Sequence, residues 1–315
     1  TMNPAAFELN GKIHIVYKAI GEDDTSVLGY ATSEDGYEIS ERPTYFIYKR
    51  RLGIANFELP ILYDSGGGWS GGCEDPRLTK IGDKVYMLYT AFDGWGSVRI
   101  AMTSIKLSDF EKRKWKWEKP VFISPIGEIH KNWVLFPEKI NGKFAILHSI
   151  SPEVLIEYVD SMDEFDGNKF IQSHHGHSKQ REESWDNWVR GVGPPPMKTK
   201  EGWLVLYHAM DNKDPNRYKL GAMILDEKDP TKILYRSKKP ILEPDEHYEN
   251  NGWKSGVVYS CGAVVRSIGK NDTLFVYYGG ADKVVCVASV KLKELIKDLK
   301  SDKPVVLKKD KLIKS

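Results

Sequence analysis

The sequence predicts an all-β protein, a five-bladed β-propeller with a short C-terminal helix. Three observations carry that prediction: a strand-like motif that recurs five times, turn residues that precede each copy, and almost no helical periodicity. The motif is a turn residue followed by apolar residues and closed by Tyr or His. Its copies are Gly11-Lys-Ile-His-Ile-Val-Tyr17, Asp83-Lys-Val-Tyr-Met-Leu-Tyr89, Gly142-Lys-Phe-Ala-Ile-Leu-His148, Gly202-Trp-Leu-Val-Leu-Tyr-His208 and Asp272-Thr-Leu-Phe-Val-Tyr-Tyr278. They start about 60 to 70 residues apart. β-Branched and aromatic residues bounded by Gly or Asp read as strands.

Each copy brings neighbours. Upstream lies another apolar stretch that ends in a hairpin-type dipeptide, Asn10-Gly11, Gly82-Asp83 or Asn141-Gly142. Downstream, after a polar turn, come Val27-Leu-Gly-Tyr-Ala31, Val98-Arg-Ile-Ala-Met102, Tyr218-Lys-Leu-Gly-Ala-Met-Ile224 and Val284-Val-Cys-Val-Ala288. Three to four strands per repeat make a radial array of small sheets. Periodicity alone also accommodates a β-sandwich, and the five-fold count favours the propeller. With no long linker, residues 1–290 form one propeller domain. Residues 291–315 add a helix and tail packed on it, because Leu292, Leu295, Ile296 and Leu299 fall at helical spacing.

Composition excludes several classes of function. The 46 basic and 44 acidic residues leave a net charge of +2, so no global field attracts nucleic acid. No apolar run approaches the roughly 18 residues of a membrane-spanning helix. Cys73, Cys261 and Cys286 are too few and too scattered for a disulfide framework or a zinc site, and they suit a reducing compartment. No signal peptide opens the chain, so a cytoplasmic location is expected. Aromatic residues make up 11% of the chain, a richness that suits sugar binding, although any single ring fills the core by default.

In a propeller the innermost strand of each blade lines a central channel, so residues at the start of those strands converge on one mouth. The corresponding segments are Asn3-Pro4, Glu74-Asp75-Pro76, Phe136-Pro137-Glu138, Pro194-Pro195-Pro196 and Ser260-Cys261-Gly262. Proline is tolerated at a strand's first residue. The repeat therefore nominates Asn3, Asp75 and Glu138 as neighbours across a cavity. Ser70-Gly-Gly-Cys-Glu-Asp-Pro-Arg77 is the most informative stretch, with glycines that permit close approach of a ligand followed at once by an acid pair. A carboxylic acid that protonates a glycosidic leaving group needs a confined site to hold its proton. The plainer reading is a turn-capping Asp75 and a surface Glu74–Arg77 ion pair.

From Asn3 to about Ala288 the chain resembles glycoside hydrolase family 130, the mannoside phosphorylases and related β-mannosidases. The resemblance rests on Asn3-Pro-Ala-Ala6, Tyr17-Lys-Ala-Ile-Gly-Glu-Asp23, Gly72-Cys-Glu-Asp-Pro-Arg77 and Val134-Leu-Phe-Pro-Glu-Lys-Ile-Asn-Gly-Lys143. It continues through Gly191-Val-Gly-Pro-Pro-Pro196, Gly202-Trp-Leu-Val-Leu-Tyr-His208, Tyr218-Lys-Leu-Gly-Ala222 and Tyr277-Tyr-Gly-Gly-Ala-Asp282. The family fold is a five-bladed propeller. The resemblance implies that Asp75 is the proton donor, acting through a hydroxyl of the mannosyl ring. It implies that Asp282 and Asn3 bind the same sugar, with Glu74, Arg77 and Glu138 also on the substrate side. Lys131, Arg190, His148 and His208 would hold phosphate, and inorganic phosphate would be a co-substrate with no other cofactor and no metal.

The expected function is an inverting phosphorylase that cleaves β-linked manno-oligosaccharides and releases mannose 1-phosphate. Such an enzyme needs one protein acid, because phosphate is the nucleophile. An inverting hydrolase needs a second carboxylate to activate water, roughly 6.5 to 9.5 Å from the first. One departure favours the hydrolase: many phosphorylases of the family carry Arg after the histidine that matches His148, and here the residue is Ser149. Glu138 or another acid near the mouth would then serve as base. A glycan-binding propeller without catalysis is a third reading. A homo-oligomer is compatible with all three.

Four further features carry less. His148 and His208 each end an apolar strand and read by default as core histidines. His174-His175-Gly176-His177 looks metal-like but has no acidic partner near it in sequence. Trp185, Asp186 and Trp188 suggest a platform for the acceptor sugar. Gly66-Gly67-Gly68 lacks the Lys-Ser/Thr of a nucleotide-binding loop and reads as a turn.

Overall fold

The hairpin dipeptides do what their chemistry allows. Asn10 and Gly11 both take left-handed backbone angles, φ 52° and 73°, and join β1 (Met2–Leu9) to β2 (Lys12–Ile20). Two consecutive left-handed residues match the twist of the flanking strands, and Asn-Gly tolerates them best. The computed structural model describes residues 1–22, 25–49, 72–92, 98–174, 176 and 181–313. Asp23, Gly66-Gly67-Gly68, Ser70, Gly71, His175 and His177 lie outside the described residues.

The chain is mostly β, with a few short helices. In the first sheet, β1 and β2 are followed by β3 (Ser26–Ser33), β4 (Gly72–Ile81), β5 (Lys84–Phe92), β6 (Val98–Lys106) and β7 (Val121–Phe122). A single parallel pair, Ser26 with Gly72, joins β3 to β4, and every other pairing in this sheet is antiparallel. The sheet is therefore two antiparallel units hinged at one point. The second sheet holds β8 (Val134–Leu135), β9 (Phe144–Ile150) and β10 (Val154–Val159). The third holds β11 (Trp188–Val192), β12 (Met197–Thr199), β13 (Gly202–Asp211), β14 (Asp214–Leu225) and β15 (Ile233–Arg236). The fourth holds β16 (Val258–Ile268), β17 (Asn271–Gly280), β18 (Val284–Lys291) and β19 (Lys308–Ile313). Among the described residues no sheet closes on itself. All five motif copies form strands: β2, β5, β9, β13 and β17.

Apolar clusters join neighbouring units in succession. Leu28 and Tyr30 pack with Met87 and Tyr89, and Leu88 and Ile100 with Trp133 and Leu135. Val134 and Leu147 pack with Trp203 and Val205, and Leu204 and Leu206 with Leu274 and Val276. A fifth cluster brings Val264, Phe275 and Tyr277 of the last unit against Ile13, Ile15 and Tyr17 of the first. Close backbone approach marks the same junction: a Cβ on Gly262 would sit 2.1 Å from the Ala6 nitrogen, so only glycine fits there.

The helical spacing near the C-terminus corresponds to α3 (Leu292–Lys300), introduced after α1 (Leu107–Glu111) and α2 (His247–Asn250). Leu295 and Leu299 of α3 pack beside Leu274 and Val276. At five and four residues, α1 and α2 are too short to show a 3.6-residue period, which is why the sequence does not announce them. The tail also holds a strand that the sequence hides: β19, charged along most of its length, pairs with β18. Among the described residues no helix is long and apolar enough to cross a membrane.

Candidate active site

A repeated irregularity builds the site. The first strand of a unit loses its regular pairing between Met2 and Ala5, Glu74 and Arg77, Val189 and Gly191, and Ser260 and Gly262. Such bulges re-aim side chains, and they concentrate beside active sites. Asn3 and Asp75 sit in two of them with φ 51° each, and Asn132, just before β8, has φ 67°. Asn and Asp reach this left-handed region more readily than other side chains. Asn3, Asp75, Asn132, Arg190 and Tyr259 together line a cavity of about 260 Å³.

The expected convergence holds for Asn3 and Asp75 and fails for Glu138. Glu138 is exposed and pairs with Lys198 Nζ at 2.7 Å, away from the cavity. The reason is register. Proline follows the inward-facing residue in the first two units, but Pro137 lies beyond β8 and Pro194 lies beyond β11. The cavity-lining counterparts are Asn132 and Arg190, with no proline beside them.

Asp75 is buried and held at both oxygens. Oδ1 accepts from Asn3 Nδ2 at 2.7 Å, and Oδ2 accepts from the Tyr259 hydroxyl at 3.0 Å. Burial raises its pKa, but Lys131, Arg77, Lys18 and the Asn3 amide together outweigh burial and hold the carboxyl below its ordinary range. Asp282, across the cavity, goes the other way: burial and the nearby Asp75 charge push it up to about 6 against the pull of Lys18. Glu74 lines the same wall, 2.7 Å from Lys18 Nζ and 3.8 Å from Lys131 Nζ.

Arg77 is not a cavity residue. It is 2% exposed and acts as a buried strut, donating to the carbonyls of Asp75 at 2.8 Å and Gly193 at 2.9 Å and to Asn132 Oδ1 at 2.8 Å. The expected substrate contact therefore gives way to a role in fixing the backbone that carries Asp75.

Of the residues expected around phosphate, Lys131, Arg190 and His148 line the cavity and His208 does not. The His208 ring is fully buried and stacks on Tyr259 with centroids 4.2 Å apart, and its Nε2 accepts from the Ser260 amide at 2.9 Å. It is the core histidine of the default reading. His148 Nδ1 meets Ser173 Oγ at 2.8 Å. Burial, with His130 and His174 adding, lowers the His148 pKa to about 4, and burial with Arg77 lowers that of His208 to about 3. Both rings are neutral at pH 7. Below about 6.5 the unfolded chain binds protons that these folded rings refuse, so stability falls with acidification until the folded values are passed. The unfolding temperature is expected to drop between pH 7 and pH 4. His208→Phe is expected to flatten that slope even though Ser260 loses its acceptor.

The suggested acceptor platform divides. Trp188 lines the cavity, with the Arg190 guanidinium 4.9 Å from its ring centre. Trp185 stacks on Tyr207 instead, and Asp186 is fully buried. Asp186 accepts from the Tyr207 hydroxyl at 2.7 Å, Arg236 Nε at 2.9 Å and Arg181 Nε at 3.0 Å. Asp186→Ala strips the carboxylate from a largely buried Arg236 and is expected to cost about 3–5 kcal/mol in denaturant unfolding. His174 is exposed and pairs with Glu153 at 3.1 Å, and among the described residues no cluster of three or more His, Cys, Asp or Glu is placed to hold a metal.

The sequence reading missed Lys18, Asn132, Tyr218, Lys254 and Tyr259. Lys18 is 1% exposed and lies in a segment already matched to the family, but a lysine on a strand reads as surface. Lys254 lines the cavity from the loop after α2, and nothing local in the sequence marks it.

A confined carboxyl facing a cationic wall is the apparatus of a protein that breaks or makes glycosidic bonds. A family model described as β-1,4-mannooligosaccharide phosphorylase matches residues 1–301, and the chain belongs to this family, glycoside hydrolase family 130. It is 36% identical to the 1,2-β-oligomannan phosphorylase of Thermoanaerobacter sp. (strain X514), over 93% of this chain and 90% of that one. It is 37% identical to the β-1,2-mannobiose phosphorylase of the same organism, over 94% and 91%. The structure of β-1,2-mannobiose phosphorylase from Listeria innocua in complex with β-1,2-mannobiose is also similar. Its TM-score is 0.68 at 25% identity, covering 95% of this chain and 92% of that one.

Proposed function

We propose that this protein is an inverting phosphorylase of β-linked manno-oligosaccharides, working in the cytoplasm and releasing mannose 1-phosphate. The observation that carries the reading is the buried Asp75, held at both oxygens in a cavity whose wall also presents Lys131, Arg190 and Lys254. Phosphate needs such charge-assisted donors, and as nucleophile it makes a second carboxylate unnecessary. Asp282 and Asn3 hold the mannosyl unit, and Asp75 supplies the proton to the leaving sugar. Phosphate also resolves a conflict at Asp75: an acid must carry a proton, yet surrounding cations favour its ionised form. A phosphate dianion against Lys131 and Arg190 offsets those cations and lets Asp75 keep its proton.

The β-1,2 linkage is favoured by the two relatives at 36% and 37% identity, both β-1,2 phosphorylases. A five-bladed propeller over residues 1–290, with a helix and tail at 291–315, is supported by the five antiparallel units and the five clusters between successive units. The hydrolase alternative loses Glu138 as its base, since that residue lies outside the cavity, and would have to use Asp282 or the Lys18-paired Glu74 instead. Ser149 lines the cavity without adding a cation, its Oγ donating to the Ser151 carbonyl at 3.2 Å. The test is incubation with β-1,2- and β-1,4-mannobiose, with and without phosphate. Mannose 1-phosphate from the β-1,2 substrate only when phosphate is present is the expected result. Free mannose at equal rates without phosphate overturns it.

A further inference from the structure

The Tyr259 hydroxyl has one proton and two buried acceptors beside it. One is Asp75 Oδ2 at 3.0 Å, and the other is Asn132 Oδ1, which is closer still. The Asn132 amide cannot turn to offer a donor instead. Its Nδ2 donates to the Arg190 carbonyl at 2.7 Å, and its Oδ1 also accepts from Arg77 Nη2 at 2.8 Å. The tyrosine ring cannot move away either, because it lies flat on His208, 8° from parallel. Only the hydroxyl proton is free to choose, by rotation about the C–O bond.

We propose that Tyr259 is a positioning residue for the proton donor, a hydroxyl rotor that serves both of its protonation states. While Asp75 carries its proton on Oδ2, the Tyr259 proton points to Asn132 Oδ1 and the phenol oxygen accepts from Asp75 until substrate displaces it. Once that proton has passed to the sugar, the Tyr259 proton swings to Asp75 Oδ2 and stabilises the carboxylate. No proton leaves Tyr259 in either state, and burial together with the Asp75 charge keeps its own pKa well above the ordinary tyrosine range. Asp75 Oδ1 takes no part in the exchange, being fixed on Asn3 Nδ2.

The groups facing Asp75 set the background on which the rotor acts. Lys18 from β2, Lys131 before β8 and Arg77 on its own strand favour the carboxylate. Asp282 after β17 and Cys261 on β16 are raised by burial, with the charge on Asp75 adding, and burial keeps His208 on β13 neutral. These groups are the same in both states of the rotor, whereas the hydroxyl alone changes partner.

The inference rests on Asp75 being the acid, and its test separates the two. The high-pH limb of kcat/KM for β-1,2-mannobiose at saturating phosphate reports loss of the acid's proton, and phosphate's own titration is common to every variant. Tyr259→Phe keeps the stack on His208 and removes both the acceptor of the acid's proton and the donor to the carboxylate; the bond to the ion is the stronger of the two, so Asp75 holds its proton longer. The limb is expected to move up by about one pH unit, with kcat about 10-fold lower. Asn132→Gly tolerates the left-handed backbone and removes the competing acceptor, so Tyr259 donates to Asp75 alone and the limb moves down. A merely structural role lowers the unfolding temperature or kcat and leaves the limb in place. An unmoved limb in Tyr259→Phe, or shifts of the same sign in both variants, overturns the inference while an inactive Asp75→Asn leaves the acid assignment standing. An active Asp75→Asn overturns both.

Discussion

Asp75→Asn is expected to lower turnover of β-mannobiose about 10²–10⁴-fold while leaving the protein folded. The substitution is close to isosteric, and Asn accepts the φ of 51° that a larger side chain resists. What changes is chemistry. A carboxamide has no proton to give, and it presents an NH₂ where Asn3 Nδ2 or the Tyr259 hydroxyl formerly found an acceptor. A modest loss of thermal stability accompanies the loss of activity, and circular dichroism on the same sample separates the two. An aryl β-mannoside with a good leaving group needs little protonation, so its phosphorolysis is expected to fall less. Equal losses for the aryl and the natural substrate would mean that Asp75 binds sugar without acting as the acid.

Much of this site is legible in the sequence because its backbone irregularities are written in residue types. A proline after Asn3 or Asp75 marks the bulge within the first strand of its unit, and the five-fold motif places those strands in order. The same device misleads in the third unit, where Pro137 follows its strand and draws attention to Glu138, now seen exposed beside Lys198. What selects the cavity residue there is the left-handed φ of Asn132, which composition and spacing do not encode. Burial is the second thing hidden. Lys18, Arg77 and His208 are all at most 2% exposed, yet the sequence does not single out Lys18, and the family resemblance puts Arg77 on the substrate side and His208 at phosphate. Each is buried because a partner from a distant segment meets it: Glu74 for Lys18, the Gly193 carbonyl for Arg77 and the Ser260 amide for His208. Pairings between residues tens of positions apart follow from how the sheets pack, and that is the part of the fold the local pattern cannot carry.

Arg190→Ala is expected to raise KM for phosphate about 10- to 100-fold and to leave KM for β-mannobiose within a factor of a few. A charge-assisted hydrogen bond contributes about 1.5–3 kcal/mol, and one guanidinium removed from an otherwise intact cationic wall should cost that much. The carbonyl of residue 190 remains in place for Asn132 Nδ2, so the backbone that frames the cavity is not disturbed. Arg190→Lys restores charge but not the planar fork, nor the guanidinium packed 4.9 Å from the Trp188 ring centre, and an intermediate KM is expected. Lys131→Ala differs in a way that identifies each residue's part. Lys131 heads the cations that lower the Asp75 pKa, so removing it weakens phosphate and also moves the high-pH limb of activity upward, whereas Arg190→Ala leaves the limb nearly where it was. In the direction of synthesis both variants should raise KM for mannose 1-phosphate in parallel with phosphate, since the same donors grip the phosphoryl group. If Arg190→Ala instead weakens both substrates equally, the arginine belongs to the sugar side of the cavity and phosphate must sit against Lys131 and Lys254.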